Sequence, residues 1–180
     1  MRCAKKFVII GEIDLLYTKK GSFMIKIMFV CHGNICRSPM AEFIFKNMLA
    51  ERGIEDKFEV ASSATSREEI GWNGIGNPVY PPARAELKRH GISCDGKRAV
   101  QLTAGDYEKY DLFVGMDSFN VRNMQRILNG DIDNKIRKLM DYTERGGDVA
   151  DPWYSDRFDI AYRDIFDGCK GLLDAILNEG

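Results

Sequence analysis

The residues best suited to chemistry are a cysteine and an arginine separated by five residues, Cys31 and Arg37, in the segment FVCHGNICRSPMAEF. A thiolate is a strong nucleophile, and a guanidinium can bind two oxygens of a phosphate at once. Gly33 and Asn34 tolerate left-handed backbone angles and therefore favour a tight turn between the two. The segment predicts an anion-binding loop with a nucleophile at one end and a cationic clamp at the other.

The neighbouring elements support that interpretation. Residues 24–30 are apolar enough for a buried strand, and Ser38 with Pro39 is a favourable helix start. Backbone N–H groups in a turn before a helix form a concave anion site, and the same field stabilises a thiolate at Cys31. The Ser38 hydroxyl can cap the helix, donate its proton to Cys31, or do both. The alternative is a buried strand-end cysteine beside a surface arginine, Arg37.

Strands and helices alternate along the rest of the chain. Further strands are predicted at 58–61, 110–116 and 135–140, and helices from Ser38 to just before Gly53 and at 82–90, 117–128 and 158–178, the last with Phe166 on its apolar side. This order predicts an α/β fold: a single domain with a four-stranded, mainly parallel sheet and helices on both faces, in three αβα layers. Ligands of such folds bind beyond the carboxyl ends of the strands, where Cys31 lies.

Composition excludes several classes of function. The 180-residue chain has a formal net charge of −1 and no long basic run, so nothing suggests a nucleic-acid partner. Its five cysteines follow neither a disulfide framework nor a zinc pattern, and it has only two histidines. We therefore expect a reducing, cytoplasmic location and no metal. The sequence has no apolar run long enough to span a membrane, and no membrane partner is expected.

Residues 1–23 stand apart from the predicted domain. Their short apolar run is interrupted by Glu12 and Asp14, and no small-residue cleavage pattern follows, which fits a signal peptide poorly. We interpret them as an N-terminal extension from an upstream reading-frame start that is not part of the native domain; the alternative is a strand-like appendage. The domain is then predicted to occupy residues 24–180.

A phosphocysteine mechanism also requires an acid that protonates the leaving oxygen. Asp151 precedes Pro152, Trp153 and Tyr154 in the segment DPWY, and a following proline restricts an aspartate to extended backbone angles. The aromatic rings could form a wall beside a flat substrate. By composition alone, a loop without function remains an alternative for this segment. The same two interpretations apply to Trp72 and its neighbour Asn73 in the long loop 62–81.

These motifs resemble the low-molecular-weight protein tyrosine phosphatase family, in its bacterial type, over about residues 24–178. The resemblance rests on the loop CHGNICRSP directly after a strand and on the later DP with aromatics. It implies hydrolysis of phosphotyrosine in proteins and of aryl phosphates, with Cys31 as nucleophile, Arg37 as phosphate clamp and Asp151 as general acid and base. It implies no cofactor, because Arg37 and the loop amides supply the positive charge.

The resemblance also assigns supporting roles. Phosphate binding and support of the loop would fall to His32, Gly33, Asn34, Ile35, Cys36, Ser38 and Ser62, and the walls of an aromatic slot to Trp72, Asn73, Trp153 and Tyr154. Cys36 would capture an oxidised Cys31 as a reversible disulfide; the alternative is a small buried residue. The implied partners are phosphotyrosine proteins, with a bacterial tyrosine kinase as one candidate, and the product is inorganic phosphate.

Two departures and three rival functions follow from the residues. The loop before Trp72 is longer than in mammalian members, and Lys97 stands near the place of a loop-supporting histidine. Protein arginine phosphatases tend to carry threonine at the place of Ile35, and a single Phe after DP. Arsenate reductases need a further cysteine pair after the third strand, and the segment LFVGMDSFNVRNM has none. The third rival is a non-catalytic anion-binding module.

Overall fold

The computed structural model describes residues 24–178, so the predicted extension 1–23 lies outside the described residues. The described strands are β1 (Ile25–Cys31), β2 (Phe58–Ala64), β3 (Leu112–Gly115) and β4 (Ile136–Lys138). The helices are α1 (Arg37–Glu51), α2 (Pro81–Arg89), α3 (Ser118–Ile127), α4 (Pro152–Ser155) and α5 (Phe158–Leu177). A 3₁₀ turn, Leu139–Tyr142, follows β4.

The four strands form one parallel sheet in the order β2-β1-β3-β4, which confirms the predicted fold class. Side chains of β1 alternate between two hydrophobic layers, as a period of two requires. Ile27 and Phe29 pack on the side of α1, α2 and α5. Met28 and Val30 pack on the opposite side with residues of α3. No helix of the described residues is both long and apolar enough to cross a membrane.

Helix α1 begins differently from the prediction. Cys36 occupies the N-cap position and makes no side-chain capping bond, while Ser38 and Pro39 lie inside the first turn. The predicted capping role of Ser38 is therefore wrong, because its hydroxyl is turned toward Cys31 instead. A proline in the first turn costs no helical hydrogen bond, since the first N–H groups have no partner within the helix.

Other helix boundaries agree with the sequence patterns. Gly53, with a φ of 64°, follows the end of α1 as predicted. Asp117 caps α3 by accepting a hydrogen bond from the Asn120 N–H at 2.7 Å. One prediction on α5 is wrong: Phe166 is 41% exposed and stacks on Tyr162 outside the core.

Candidate active site

The Cys31–Arg37 loop lies at the carboxyl edge of the sheet, between β1 and α1. Strand β1 pairs with β2 on one side and with β3 on the other. From β1 the chain therefore adds β2 toward one edge of the sheet and then β3 and β4 toward the other edge. Crevices at such a switch point are the usual ligand sites of open parallel sheets. The predicted placement of Cys31 at the end of the first strand is therefore found in the structure.

The loop curls so that its own groups point at the Cys31 sulfur. The Asn34 N–H donates to Cys31 Sγ at 3.3 Å, and the Ser38 hydroxyl donates to it at 3.1 Å. Asn34 reaches this position through a left-handed backbone angle, with a φ of 58°. Two donors therefore converge on one sulfur, while the Cys31 residue itself is only 4% exposed.

The Asn34 side chain uses both amide hydrogens and its carbonyl oxygen to fix the loop. Its Nδ2 donates to Ser38 Oγ at 2.9 Å and to Ser62 Oγ at 2.8 Å. Its Oδ1 accepts from the Val100 N–H at 2.9 Å. Since Asn34 is fully buried, each of these bonds is made without competition from water. The loop-supporting roles predicted for Asn34, Ser38 and Ser62 agree with these contacts.

An ion pair that the sequence analysis did not include closes this network. The Ser62 hydroxyl donates to Glu42 Oε2 at 2.6 Å, and Lys97 Nζ lies 3.1 Å from the same oxygen and donates to Ser62 O at 3.0 Å. An ionised carboxylate only accepts, so Ser62 must accept from Asn34. Both Asn34 amide hydrogens are then used, which leaves the Ser38 proton for Cys31.

The guanidinium of Arg37 is buried between two carboxylates. Its Nη1 lies 2.7 Å from Asp117 Oδ2 and its Nη2 lies 2.8 Å from Asp151 Oδ2. Burial acts to lower the pKa of Arg37, but the negative charges of Cys31, Asp151 and Asp117 outweigh it and raise that pKa above its usual value. The side chain is therefore a permanent cation beside the Cys31 sulfur. From the sequence, residue 117 was predicted only as the start of a helix, because a local pattern shows nothing of the contact between Asp117 and Arg37.

Asp151 reaches Arg37 from the loop before α4. Its backbone is extended, with φ −83° and ψ 109°, as the following Pro152 requires. Its Oδ1 accepts from the Trp153 N–H at 3.0 Å, so the carboxylate also caps α4. The side chain is 39% exposed and can meet both solvent and an incoming ligand. Two segments, the Cys31–Arg37 loop and the loop before α4, thus bring the predicted nucleophile, clamp and acid together.

The residues predicted to line an aromatic slot differ in their contacts with the Cys31–Arg37 loop. Trp153 packs on Tyr80, with ring centroids 5.3 Å apart, and the Tyr80 N–H donates to Ile35 O at 2.8 Å, which links that ring to the loop. Trp72 and Tyr154 are both exposed, and Asn73 accepts from the Ile75 N–H within its own loop. Tyr80 was not predicted, because a tyrosine in a long loop carries no local signal of this contact.

The remaining loop residues differ in exposure. The His32 side chain is half-exposed, with its Nε2 3.0 Å from Glu68 Oε2, whereas Ile35 and Cys36 are buried. Burial, together with the negative charges of Cys31 and Asp151, raises the pKa of the Cys36 thiol to about 12. Cys36, the last loop residue before Arg37, is therefore mainly a neutral thiol at neutral pH.

Comparison with known proteins gives consistent matches. The model of the family described as low molecular weight phosphotyrosine protein phosphatase matches residues 26–180. A Bacillus subtilis relative, low molecular weight protein-tyrosine-phosphatase YfkJ, is 38% identical over 158 residues, covering 87% of this chain and 98% of the relative. PtpA of Staphylococcus saprophyticus is 35% identical over 157 residues, covering 87% and 96%.

Solved structures give the same picture. The crystal structure of YfkJ from Bacillus subtilis has a TM-score of 0.80 at 37% identity, covering 89% of this chain and 99% of that one. A crystal structure of a Drosophila arginine phosphatase has a TM-score of 0.72 at 25% identity, covering 83% and 96%. The fold is therefore shared with solved structures of phosphatases.

Proposed function

The chain belongs to the low molecular weight phosphotyrosine protein phosphatase family and is a protein-tyrosine phosphatase, and we propose that it works through a phosphocysteine formed on Cys31. The observation that carries this proposal is the Cys31 sulfur, which accepts from the Asn34 N–H and the Ser38 hydroxyl within a loop that ends at the buried Arg37. These contacts place the sulfur beside a fixed cation, and attack on a phosphate dianion requires a nucleophile and a cation so arranged.

The first step is transfer of the phosphoryl group to sulfur. The Cys31 thiolate forms a bond to phosphorus while the bond from phosphorus to the tyrosine oxygen breaks. Asp151, in its protonated form, donates the proton that the leaving phenolate takes up. Arg37 and the backbone N–H groups of the loop, from His32 to Cys36, hold the three equatorial oxygens. This charge comes from the protein, so the step needs no metal ion.

The second step releases phosphate. Asp151, now a carboxylate, accepts a proton from a water molecule whose oxygen attacks phosphorus. The sulfur–phosphorus bond breaks, inorganic phosphate forms and the Cys31 thiolate is regenerated. The short distance of 2.8 Å from Asp151 to Arg37 supports this role, because it places the carboxyl group beside the proposed phosphate clamp.

The protein substrate is proposed to approach along the aromatic side chains. Trp153 on Tyr80 would form one wall, with Tyr154, Trp72 and Asn73 at the mouth, where their exposure leaves them available to a phosphopeptide. Phosphotyrosine proteins, including a tyrosine kinase, are the proposed partners.

We also propose that residues 24–180 form the phosphatase domain; the family match, which begins at residue 26, supports these bounds. We propose further that the domain acts in the cytoplasm, and the four free cysteines among the described residues support that location.

Rates on phosphopeptides that differ only in the phosphorylated residue test the substrate class. We expect phosphotyrosine to be hydrolysed fastest, phosphoarginine more slowly and phosphoserine least, because a short side chain cannot bring its phosphate to the Cys31 loop. Faster turnover of phosphoarginine would instead favour the activity named for the Drosophila structure. Phosphate binding without turnover of any peptide would favour a non-catalytic anion-binding module.

Cys36 is proposed as a redox partner of Cys31. Peroxide would oxidise Cys31 to a sulfenic acid, and the Cys36 sulfur would then displace its hydroxyl as water and form a disulfide. Because the pKa of Cys36 is raised to about 12, mainly by burial, its thiolate fraction increases about tenfold per pH unit below that value. Disulfide closure, followed by alkylation and mass spectrometry, should therefore accelerate from pH 6 to 9. A rate independent of pH would contradict attack by Cys36.

A further inference from the structure

The loop that carries Asp151 is attached to helix α5 through a single buried carboxylate. Asp164 lies in the first half of α5 and is 1% exposed. Its Oδ1 accepts from Arg145 Nη2 at 2.7 Å, and its Oδ2 accepts from the Ala150 N–H at 3.1 Å. Ala150 directly precedes Asp151 in the chain. One side chain thus holds the loop at two points five residues apart, the second of them next to the proposed acid.

Burial of this carboxylate is costly and is compensated only by the loop. A charge removed from water is unfavourable unless it is paired and hydrogen-bonded. Both contacts found for Asp164 in residues 24–178 belong to the segment between the Leu139–Tyr142 turn and α4. The Arg145 side chain is 57% exposed, so the pair closes the surface over Asp164. The contact therefore orders the loop itself.

Helix α5 packs tightly against the turn from which that loop begins, so it can fix the position of the loop. Two glycines allow it to approach the start of the loop closely: a Cβ on Gly168 would lie 2.5 Å from Leu139 Cγ, and one on Gly171 would lie 2.1 Å from Tyr142 O. These distances are shorter than a Cβ tolerates, so the helix lies directly on the Leu139 side chain at Gly168 and on the Tyr142 backbone at Gly171. The position of α5 is thereby transmitted to the segment that leads to Asp151.

A second attachment fixes the other side of the loop. The Val149 N–H donates to Met116 O at 2.9 Å, and Val149 is 2% exposed. Met116 follows β3 and precedes Asp117, the residue that binds Arg37. The sheet edge and α5 thus hold the two consecutive residues before Asp151 from opposite sides.

We propose that Asp164 is a positioning residue for dephosphorylation, which orients the Ala150–Asp151 peptide so that the Asp151 carboxyl group faces Arg37 and the Cys31 loop. The inference rests on the proposed function, in which Asp151 is the acid. Asp164 touches neither substrate nor phosphorus; it acts through the loop.

Replacement of Asp164 by asparagine tests this role with little change in volume. Asparagine has one acceptor oxygen and turns an amide NH₂ toward the other donor, so one of the two attachments must break. We expect kcat/KM for phenyl phosphate, whose leaving group needs a proton, to fall about 10- to 100-fold. For 2,4-dinitrophenyl phosphate, whose leaving group departs without one, we expect a change within about twofold. The inhibition constant of inorganic phosphate should stay unchanged.

Asp174→Asn is the matched control. Asp174 lies on the same helix and is also paired, with Arg52 at 3.3 Å and Lys170 at 2.8 Å, but it does not contact the loop. That variant should leave both kcat/KM values unchanged. If Asp164→Asn does not fold, Arg145→Gln removes the same ion pair from its exposed end, and a smaller loss confined to phenyl phosphate is expected.

The outcomes separate the two proposals. Equal losses on both esters, or no loss on either, would overturn the positioning role of Asp164 while Asp151→Asn still shows a loss confined to phenyl phosphate. If Asp151→Asn itself shows no such loss, the assignment of the acid fails, and the inference about Asp164 fails with it.

Discussion

Replacing Cys31 with serine is expected to lower the turnover of 4-nitrophenyl phosphate by on the order of 10⁶, the scale on which loss of a covalent nucleophile acts. A thiolate is a far stronger nucleophile than an alcohol, so the variant lacks the group that attacks phosphorus in the proposed mechanism. The contacts from Ser38 and the Asn34 N–H can be made to an oxygen as well as to a sulfur, so the loop should keep its shape. Initial rates at saturating substrate measure the effect.

Phosphate binding provides the control for that experiment. Arg37 and the loop amides remain in the serine variant, so inorganic phosphate should still raise its unfolding temperature. Cys94→Ser, which changes a buried free cysteine elsewhere in the chain, should leave turnover near that of the native protein. Turnover of the Cys31 variant within about tenfold of native would remove Cys31 from the role of nucleophile.

Replacing Asp151 with asparagine is expected to lower kcat/KM for phenyl phosphate by about 10²–10⁴, the usual contribution of a general acid. Asparagine can still accept from the Trp153 N–H through its oxygen, so the start of α4 is preserved. It cannot give a proton to the phenolate, and it loses the ion pair with Arg37 at 2.8 Å. The loss should shrink as the leaving group becomes more acidic.

The pH profile adds a second measurement for Asp151. In the proposed mechanism the nucleophile acts ionised and the acid acts protonated, so the native rate should fall on the alkaline side. The fall on the alkaline side should vanish in the asparagine variant. Asp156→Asn, an exposed position with a left-handed φ of 55° that asparagine also adopts, is the control and should behave like the native protein. A native rate that still rises above neutral pH would contradict this pairing of acid and nucleophile.

Local patterns in the sequence were sufficient to predict the fold class and the position of the Cys31–Arg37 loop. The periodicities of strand and helix predicted the alternating order, and an alternating order favours a parallel sheet because each crossover is a helix. The contacts that define the loop, Asn34 N–H to Cys31 and Ser38 hydroxyl to Cys31, join residues at most seven apart. Gly33, Asn34 and the helix start after them were therefore enough to predict where Cys31 and Arg37 lie.

The tertiary structure decided which distant side chains complete the site. Arg37 meets Asp117 across 80 residues, and Asn34 meets Ser62 across 28. The sequence placed Lys97 near a loop-supporting position but showed no partner for it, and the structure pairs it with Glu42 beneath the loop. Parallel strands bring their carboxyl ends together only after helical crossovers, so the pairing depends on strand order and helix packing, which no local spacing contains. The sequence by itself predicted the nucleophile, the clamp and the acid, while packing determined the residues that hold each of these side chains.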